Sequence, residues 1–284
     1  MKIIQNGNHI ERATAVTDIE DRGYQFGDGI YEVTRIYDQT PFLLEEHLLR
    51  LERSAREIRM RLPFTRDQMT QACHDLIRDN DIATGHIYIQ VSRGVHPRSQ
   101  VFPPESVVPQ WIVQTLEKPR PLRALQDGVA AKLVEDIRWL RCDIKSLNLL
   151  PNTMARQAAA DVGAYEAIQH RGETVTEGAF SNVFAVFEGT VWTHPANQGI
   201  LRGITRGVVL QLCRDLGIPV REEAIPLPRI ANANEIMVTS TFNEVMPVVT
   251  LDGNPIGDGR PGGVTRRLQE AFTGLLRKTN PNPV

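Results

Sequence analysis

Between residues 30 and 62 the apolar residues change their period, and that change limits the fold more than any other stretch. From Ile30 to Tyr37 the sequence alternates, with Tyr31, Val33, Arg35 and Tyr37 on one face and Ile30, Glu32, Thr34 and Ile36 on the other. This reads as a strand, one face of which carries polar tips. Leu44, Leu48, Leu51, Ala55, Ile58 and Leu62 then recur at spacings of four and three, the stripe of an amphipathic helix ending before Pro63. Alternation returns at His86–Ser92, and further strands are expected around Trp111–Leu116 and, as an apolar run, at Val129–Val134. Tight turns join other strands: Asn6-Gly7 gives a hairpin signal, and breaks fall at Arg171-Gly172 and Glu188-Gly189. Helices are expected from a Thr65/Gln68 capping box through Ile77, over an Ala-rich stretch closed by Gly163, from near Gly203 to Gly217, and from Pro261 to Lys278. Hairpins mixed with scattered helices make an α+β pattern, not a regular strand–helix–strand series.

At 284 residues the chain is long enough for two cores. Pro119 and Pro121 stiffen a polar stretch that serves as a boundary. The division is a small α+β domain over residues 1–117, a linker over 118–124 and a larger α+β domain over 125–284, which takes in Lys145. With 32 basic and 34 acidic residues interspersed, the net charge of −2 leaves no footprint for nucleic acid or a membrane surface. Met1-Lys2-Ile3-Ile4 runs straight into Gln5-Asn6-Gly7-Asn8, so no signal peptide is expected, and no later run approaches the ~18 apolar residues of a membrane span. Cys73, Cys142 and Cys213 lie far apart without pairing or metal-ligand spacing. They imply reduced thiols, a cytoplasmic protein and no metal. The glycines form neither a dinucleotide fingerprint nor a P-loop.

Lys145 lies among Trp139, Leu140, Ile144, Leu147, Leu149 and Leu150. Apolar neighbours disfavour an ammonium and favour the neutral amine, a nucleophile able to form a Schiff base with a carbonyl. The carbonyl most often held in that way is the aldehyde of pyridoxal 5′-phosphate. Local context alone does not separate this from a surface lysine whose stem lies on apolar neighbours.

A set of motifs does. The Lys145 segment, Glu-Asp-Arg-Gly-Tyr-Gln-Phe-Gly-Asp-Gly at 20–29, Thr-Glu-Gly at 176–178, Thr-His-Pro-Ala-Asn at 193–197, Gly-Ile-Thr-Arg at 203–206 and Val-Thr-Ser-Thr at 238–241 run in order along the chain. Together they resemble the D-amino acid aminotransferases of class IV, the fold-type IV enzymes that use pyridoxal 5′-phosphate. The resemblance implies a two-domain α+β fold of that type and a homodimer.

It also implies roles. Lys145 would bind the cofactor and carry the proton between the substrate's Cα and C4′ of the cofactor. Glu177 would keep the pyridine nitrogen protonated. The phosphate would sit on the helix start at Ile204 and Thr205, with Arg50 and Ser240 or Thr241 completing its shell and Leu201 alongside. Tyr31, Val33, Arg98, Gln100, Phe180 and Phe242 would face substrate. In the family an arginine, and a histidine two residues later on a loop reaching the partner subunit's site, hold the substrate carboxylate. Arg98 keeps the arginine, but Gln100 replaces the histidine. Arg35 stands where lysine is usual, and Phe180 and Phe242 where small polar residues are usual.

The implied reaction is ping-pong transfer of an amino group between D-amino acids such as D-alanine or D-glutamate and 2-oxo acids such as pyruvate or 2-oxoglutarate. The alternatives of the same fold are a branched-chain L-amino acid or (R)-amine transaminase and an aminodeoxychorismate lyase. A silent vitamin-binding module is disfavoured by the presence of both Lys145 and Glu177.

Overall fold

A computed structural model describes residues 1–279 and resolves the chain into two compact units. Met1–Pro119 together with Ile144–Asn148 form the first, and Arg120–Asp143 with Leu149–Lys278 the second. Among the described residues no helix is long and apolar enough to cross a membrane.

In the first unit six strands form an antiparallel sheet. They are β1 (Lys2–Gln5), β2 (Asn8–Glu11), β3 (Gly29–Tyr37), β4 (Thr40–Pro41), β5 (Gly85–Ser92) and β6 (Gln110–Glu117), in the order β2-β1-β6-β5-β3-β4. Its helices are α1 (Arg22–Phe26), α2 (Leu44–Glu57) and α3 (Arg66–Asp79). Leu48 and Leu51 of α2 and Met69, Cys73 and Leu76 of α3 pack with Ile30, Ile36, Ile87 and Ile89 of the sheet in one core. The capping box opens α3: Gln68 N–H donates to the Thr65 hydroxyl and Thr65 N–H to the Gln68 side chain. Every residue of β3 is buried, so the face expected to carry polar tips lies inside as well.

The apolar period extends the first expected helix to Leu62, but α2 stops at Glu57. Arg59 takes a positive φ of 52°, which turns the chain, and Met60 N–H returns to the Ala55 carbonyl. Leu62 still packs on the core from outside the helix.

The second unit holds a mixed sheet of β7 (Val129–Glu135), β8 (Glu166–Arg171), β9 (Thr174–Gly178), β10 (Asn182–Phe187), β11 (Thr190–Thr193), β12 (Val220–Glu222), β13 (Ile225–Pro226), β14 (Glu235–Ser240), β15 (Glu244–Leu251) and β16 (Asn254–Pro255). The order is β12-β11-β10-β14-β15-β7-β8-β9-β13, with β16 on β15. Its helices are α4 (Leu122–Asp127), α5 (Leu150–Ala160), α6 (Ile204–Asp215), α7 (Leu227–Ile230) and α8 (Gly263–Thr279). Ala155 and Ala159 of α5 meet Ala167 of β8, so small side chains let that helix lie close on the sheet.

The units divide between Pro119 and Arg120, inside the stretch read as a linker, though α4 already begins at Leu122. Lys145, expected in the C-terminal domain, groups with the first unit instead, because its stretch hydrogen-bonds to β3.

Candidate active site

Lys145 is held through its backbone. Tyr31 N–H donates to the Lys145 carbonyl at 3.0 Å, Leu147 N–H donates to the Gly29 carbonyl at 3.0 Å, and Ile30 bridges Ser146. Gly29 makes this approach possible: a Cβ there would lie 2.5 Å from the Val91 carbonyl oxygen and 2.7 Å from Leu147 Cδ1. From the helix side, Lys145 N–H reaches the Ser54 hydroxyl at 3.3 Å. Lys145 Nζ stands 4.1 Å from the centroid of the Tyr31 ring, and Tyr88 lies 5.8 Å beyond that ring. The ring face attracts a cation electrostatically and shields one side of the nitrogen from water.

The sequence neighbours do not supply the expected apolar shell. Trp139, Leu140 and Leu150 are 43%, 70% and 71% exposed, whereas Ile144 turns into the core. Proximity along an irregular stretch says little about which side chains share a face.

Arg50, expected at the phosphate, rises from α2 with His47 and Ser54 on the same helix face, at spacings of three and four. The buried carboxylate of Glu32 accepts from Arg50 Nε at 2.7 Å and from Nη2 at 2.8 Å, and His47 Nδ1 lies 2.7 Å from it. Burial pushes the Glu32 carboxyl up, but the Arg50 charge and both sets of hydrogen bonds outweigh it and hold the group well below the usual carboxylate range. Burial pulls His47 below its ordinary value; Glu32 opposes that, while Arg50 and Lys145 add to it.

Glu177 stands near the end of β9 in the second unit, 4% exposed. Leu201 N–H donates to its two oxygens at 3.1 and 3.0 Å, Asn182 Nδ2 donates to Oε2 at 2.9 Å, and Arg138 Nη1 donates to Oε1. Asp136 holds Arg138 in turn through Nε at 2.9 Å and Nη2 at 2.8 Å, and accepts from the Thr176 hydroxyl at 2.9 Å. Burial raises Glu177 to about 7, although Arg138 and the Leu201 N–H act against the rise. Arg138 moves up because the attraction of Glu177 and Asp136 exceeds its own burial cost. The pair is therefore attractive, and the position of Glu177 is set by how little water reaches it.

Asn182 Nδ2 also donates to the Leu201 carbonyl at 2.8 Å, linking Glu177 to the chain that enters α6. That helix starts at Ile204 behind Gly203, with no side-chain cap and no acid in its first turn, and Thr205 is buried. Such a terminus favours an anion. A Cβ on Gly203 would lie 2.1 Å from Asn182 Oδ1. Gly203→Ala should therefore push Asn182 off Glu177 and destabilise the fold by about 1–3 kcal/mol, as overpacking does. Urea unfolding checks this, and an unchanged midpoint would mean Asn182 relaxes freely. Ser240 closes β14, its hydroxyl accepting from Asn243 N–H at 3.1 Å, and Thr241 follows in the turn to β15.

Among the substrate candidates, Tyr31 and Val33 share one face of β3, opposite Gln90 and Tyr88 in register. Arg98 and Gln100 are exposed on the loop after β5, and the Arg98 guanidinium lies 4.5 Å from the centroid of the Phe26 ring. Phe180 is 43% exposed between β9 and β10, and Phe242 is half-buried between β14 and β15. Lys145, Tyr31, Val33 and Arg50 thus gather on β3, α2 and the stretch beside them, while Glu177 and Leu201 are bonded within the second unit.

Sequence reasoning missed Glu32, His47, Asp136, Arg138 and Asn182. Glu32 gave a signal as a charge inside an apolar strand, and His47, Arg50 and Ser54 gave one in their helical spacing. An Asp-x-Arg pair such as Asp136 and Arg138 carries none, since it reads as a solvated strand end.

The family model described as Amino-transferase class IV matches residues 29–251. Over 271 residues the chain is 49% identical to a D-alanine aminotransferase of Staphylococcus haemolyticus, covering 95% of this chain and 96% of that one. A D-alanine aminotransferase of Bacillus licheniformis is 45% identical over 272 residues, covering 96% of each. Among solved structures, a branched-chain amino acid aminotransferase of Escherichia coli aligns with a TM-score of 0.90 at 29% identity, over 96% of this chain and 94% of that one. A branched-chain aminotransferase of the thermophilic archaeon Thermoproteus uzoniensis, solved with norvaline, aligns with a TM-score of 0.90 at 25% identity, over 99% of this chain and 96% of that one. A matched span of that length, with near-complete coverage of relatives at almost half identity, makes the chain a member of the class IV aminotransferases.

Proposed function

We propose that this transaminase moves the amino group of a D-amino acid, D-alanine or D-glutamate, onto a 2-oxo acid, pyruvate or 2-oxoglutarate, by a ping-pong cycle. The full-length likeness to D-alanine aminotransferases carries the reading, for the branched-chain enzymes share the fold at far lower identity.

Class IV aminotransferases use pyridoxal 5′-phosphate. When bound, it supplies an aldehyde for the substrate nitrogen and a protonated ring that draws off the electron pair left at Cα. The donor set suits it. A buried carboxyl raised to about 7, as at Glu177, gains from a cationic N–H brought against it, so this residue is assigned to the ring nitrogen. Leu201 N–H and Asn182 hold that carboxylate in place. The uncapped start of α6 at Ile204 and Thr205 suits a phosphate, and the resemblance assigns Arg50 and the hydroxyls of Ser240 and Thr241 to the same group.

Lys145 supplies the amine. Nζ would serve as the base for the substrate's Cα proton and as its carrier, and the Tyr31 ring face keeps one approach to it dry. One amino acid leaves as its 2-oxo acid before the second 2-oxo acid takes up the amino group.

Arg98, Gln100 and Tyr31 are assigned to the substrate carboxylate, with Val33, Phe180 and Phe242 along its side chain. The exposure of Arg98 and Gln100 supports a loop that serves the neighbouring copy of a homodimer. Three buried free thiols support a cytoplasmic setting.

Purified protein given pyridoxal 5′-phosphate, D-alanine and 2-oxoglutarate should release pyruvate, and L-alanine should not replace D-alanine. Amino transfer from L-leucine, with none from D-alanine, would turn the reading to the branched-chain enzymes. Turnover of an (R)-amine alone would turn it to the amine transaminases, and pyruvate from an aminodeoxychorismate-like substrate alone to the lyase.

A further inference from the structure

Glu32 is 0% exposed on β3, between Tyr31 and Val33 and in register with Ile89 of β5. A buried ion pair gives no clear stability advantage over apolar residues of the same volume, so stability alone does not account for a carboxylate there. What the pair does fix is geometry. Nε and Nη2 of Arg50 meet the two oxygens of Glu32 at 2.7 and 2.8 Å, a bidentate fork that allows the guanidinium no rotation. His47 Nδ1, 2.7 Å from Oε2, and Val33 N–H at 3.3 Å hold the carboxylate itself. A carboxylate only accepts, so Nδ1 carries the proton. One turn on from Arg50, Ser54 accepts from Lys145 N–H, so the same face of α2 is registered against both β3 and the lysine's backbone.

We propose that Glu32 is a positioning residue for the cofactor's phosphate, its carboxylate clamping the Arg50 guanidinium in the one orientation that receives the phosphate. The proposal rests on the reading that Arg50 contacts the phosphate. Because the guanidinium is set beforehand, no side-chain ordering has to accompany binding. In this role Glu32 acts through Arg50, so its effect belongs to the phosphate and not to the aldehyde or the ring.

The test titrates cofactor-free protein with pyridoxal 5′-phosphate and with pyridoxal, which has the same aldehyde and ring but no phosphate, and reads affinity from absorbance. Glu32→Gln keeps the volume but loses the charge and the second acceptor. It should weaken pyridoxal 5′-phosphate about tenfold and leave pyridoxal within about twofold. Arg50→Ala should erase more of the preference for the phosphorylated form, and adding Glu32→Gln to it should change that preference no further. Should Glu32→Gln alone fail to fold, the double variant, which leaves no buried guanidinium unpaired, carries the test by comparison with Arg50→Ala. Full preference in Glu32→Gln, with loss in Arg50→Ala, overturns the proposal, as does an additional loss in the double variant. A preference unchanged in Arg50→Ala overturns the reading of Arg50, and the proposal with it.

Discussion

Lys145→Ala is expected to lower transamination by about three orders of magnitude or more, since in the proposed function it removes both the covalent anchor and the group that moves the Cα proton. The backbone of residues 144–148 is held by Gly29, Tyr31 and Ser54 through main-chain groups that alanine retains, so the fold should survive. The cofactor should still bind through its phosphate and ring. Borohydride treatment separates the cases: the unmodified protein should become irreversibly labelled at Lys145, and the alanine variant should release its cofactor on denaturation. Covalent label persisting in the variant would show that a different lysine is the anchor. An added primary amine should restore part of the proton transfer in the variant, which simple misfolding would not allow.

Lys145 is singled out in the sequence by the set of motifs and not by its local context, and the structure shows why that context says little. Its apolar neighbours suggested a desolvated amine, yet Trp139, Leu140 and Leu150 are largely exposed, and the ring that shields Nζ belongs to Tyr31, more than a hundred residues earlier. Local windows see local contacts only. The same limit hid the return of residues 144–148 to β3, a pairing that only long-range hydrogen bonds reveal. Where chemistry is local, the sequence was sufficient: the Thr65/Gln68 capping box and the Asn6-Gly7 hairpin both stand as read. The overrun of α2 to Leu62 arose because apolar spacing continues past a residue, Arg59, whose positive φ has no side-chain signature.

Glu177→Gln is the second large effect, and it has two readouts because the carboxyl is a buried acid and, in the proposed function, the partner of the ring nitrogen. An amide keeps the shape and can still accept from Leu201 N–H, but it cannot hold a proton on the pyridine nitrogen. The expected loss is about 2–4 kcal/mol of transition-state stabilisation, roughly 30- to 900-fold in kcat, with the cofactor still bound.

The other readout is stability of the cofactor-free protein against pH. Glu177 rises from 4.5 in the unfolded chain to about 7 in the folded one, because burial outweighs the attraction of Arg138. The folded state therefore binds the extra proton between those values, and the stabilisation is complete below pH 4.5 and lost as pH climbs through about 7. Glu177→Gln should flatten that slope in urea unfolding measured across the window. Cofactor binding should flatten it too, since a protonated ring nitrogen against the carboxylate lowers its pKa. Burial pushes Asp136 up, but Arg138 outweighs it and holds the group below its ordinary value, so Asp136 stays ionised across that window in both proteins and adds no slope of its own. Undiminished turnover in the glutamine variant, together with an unchanged pH slope, would place the ring's partner elsewhere.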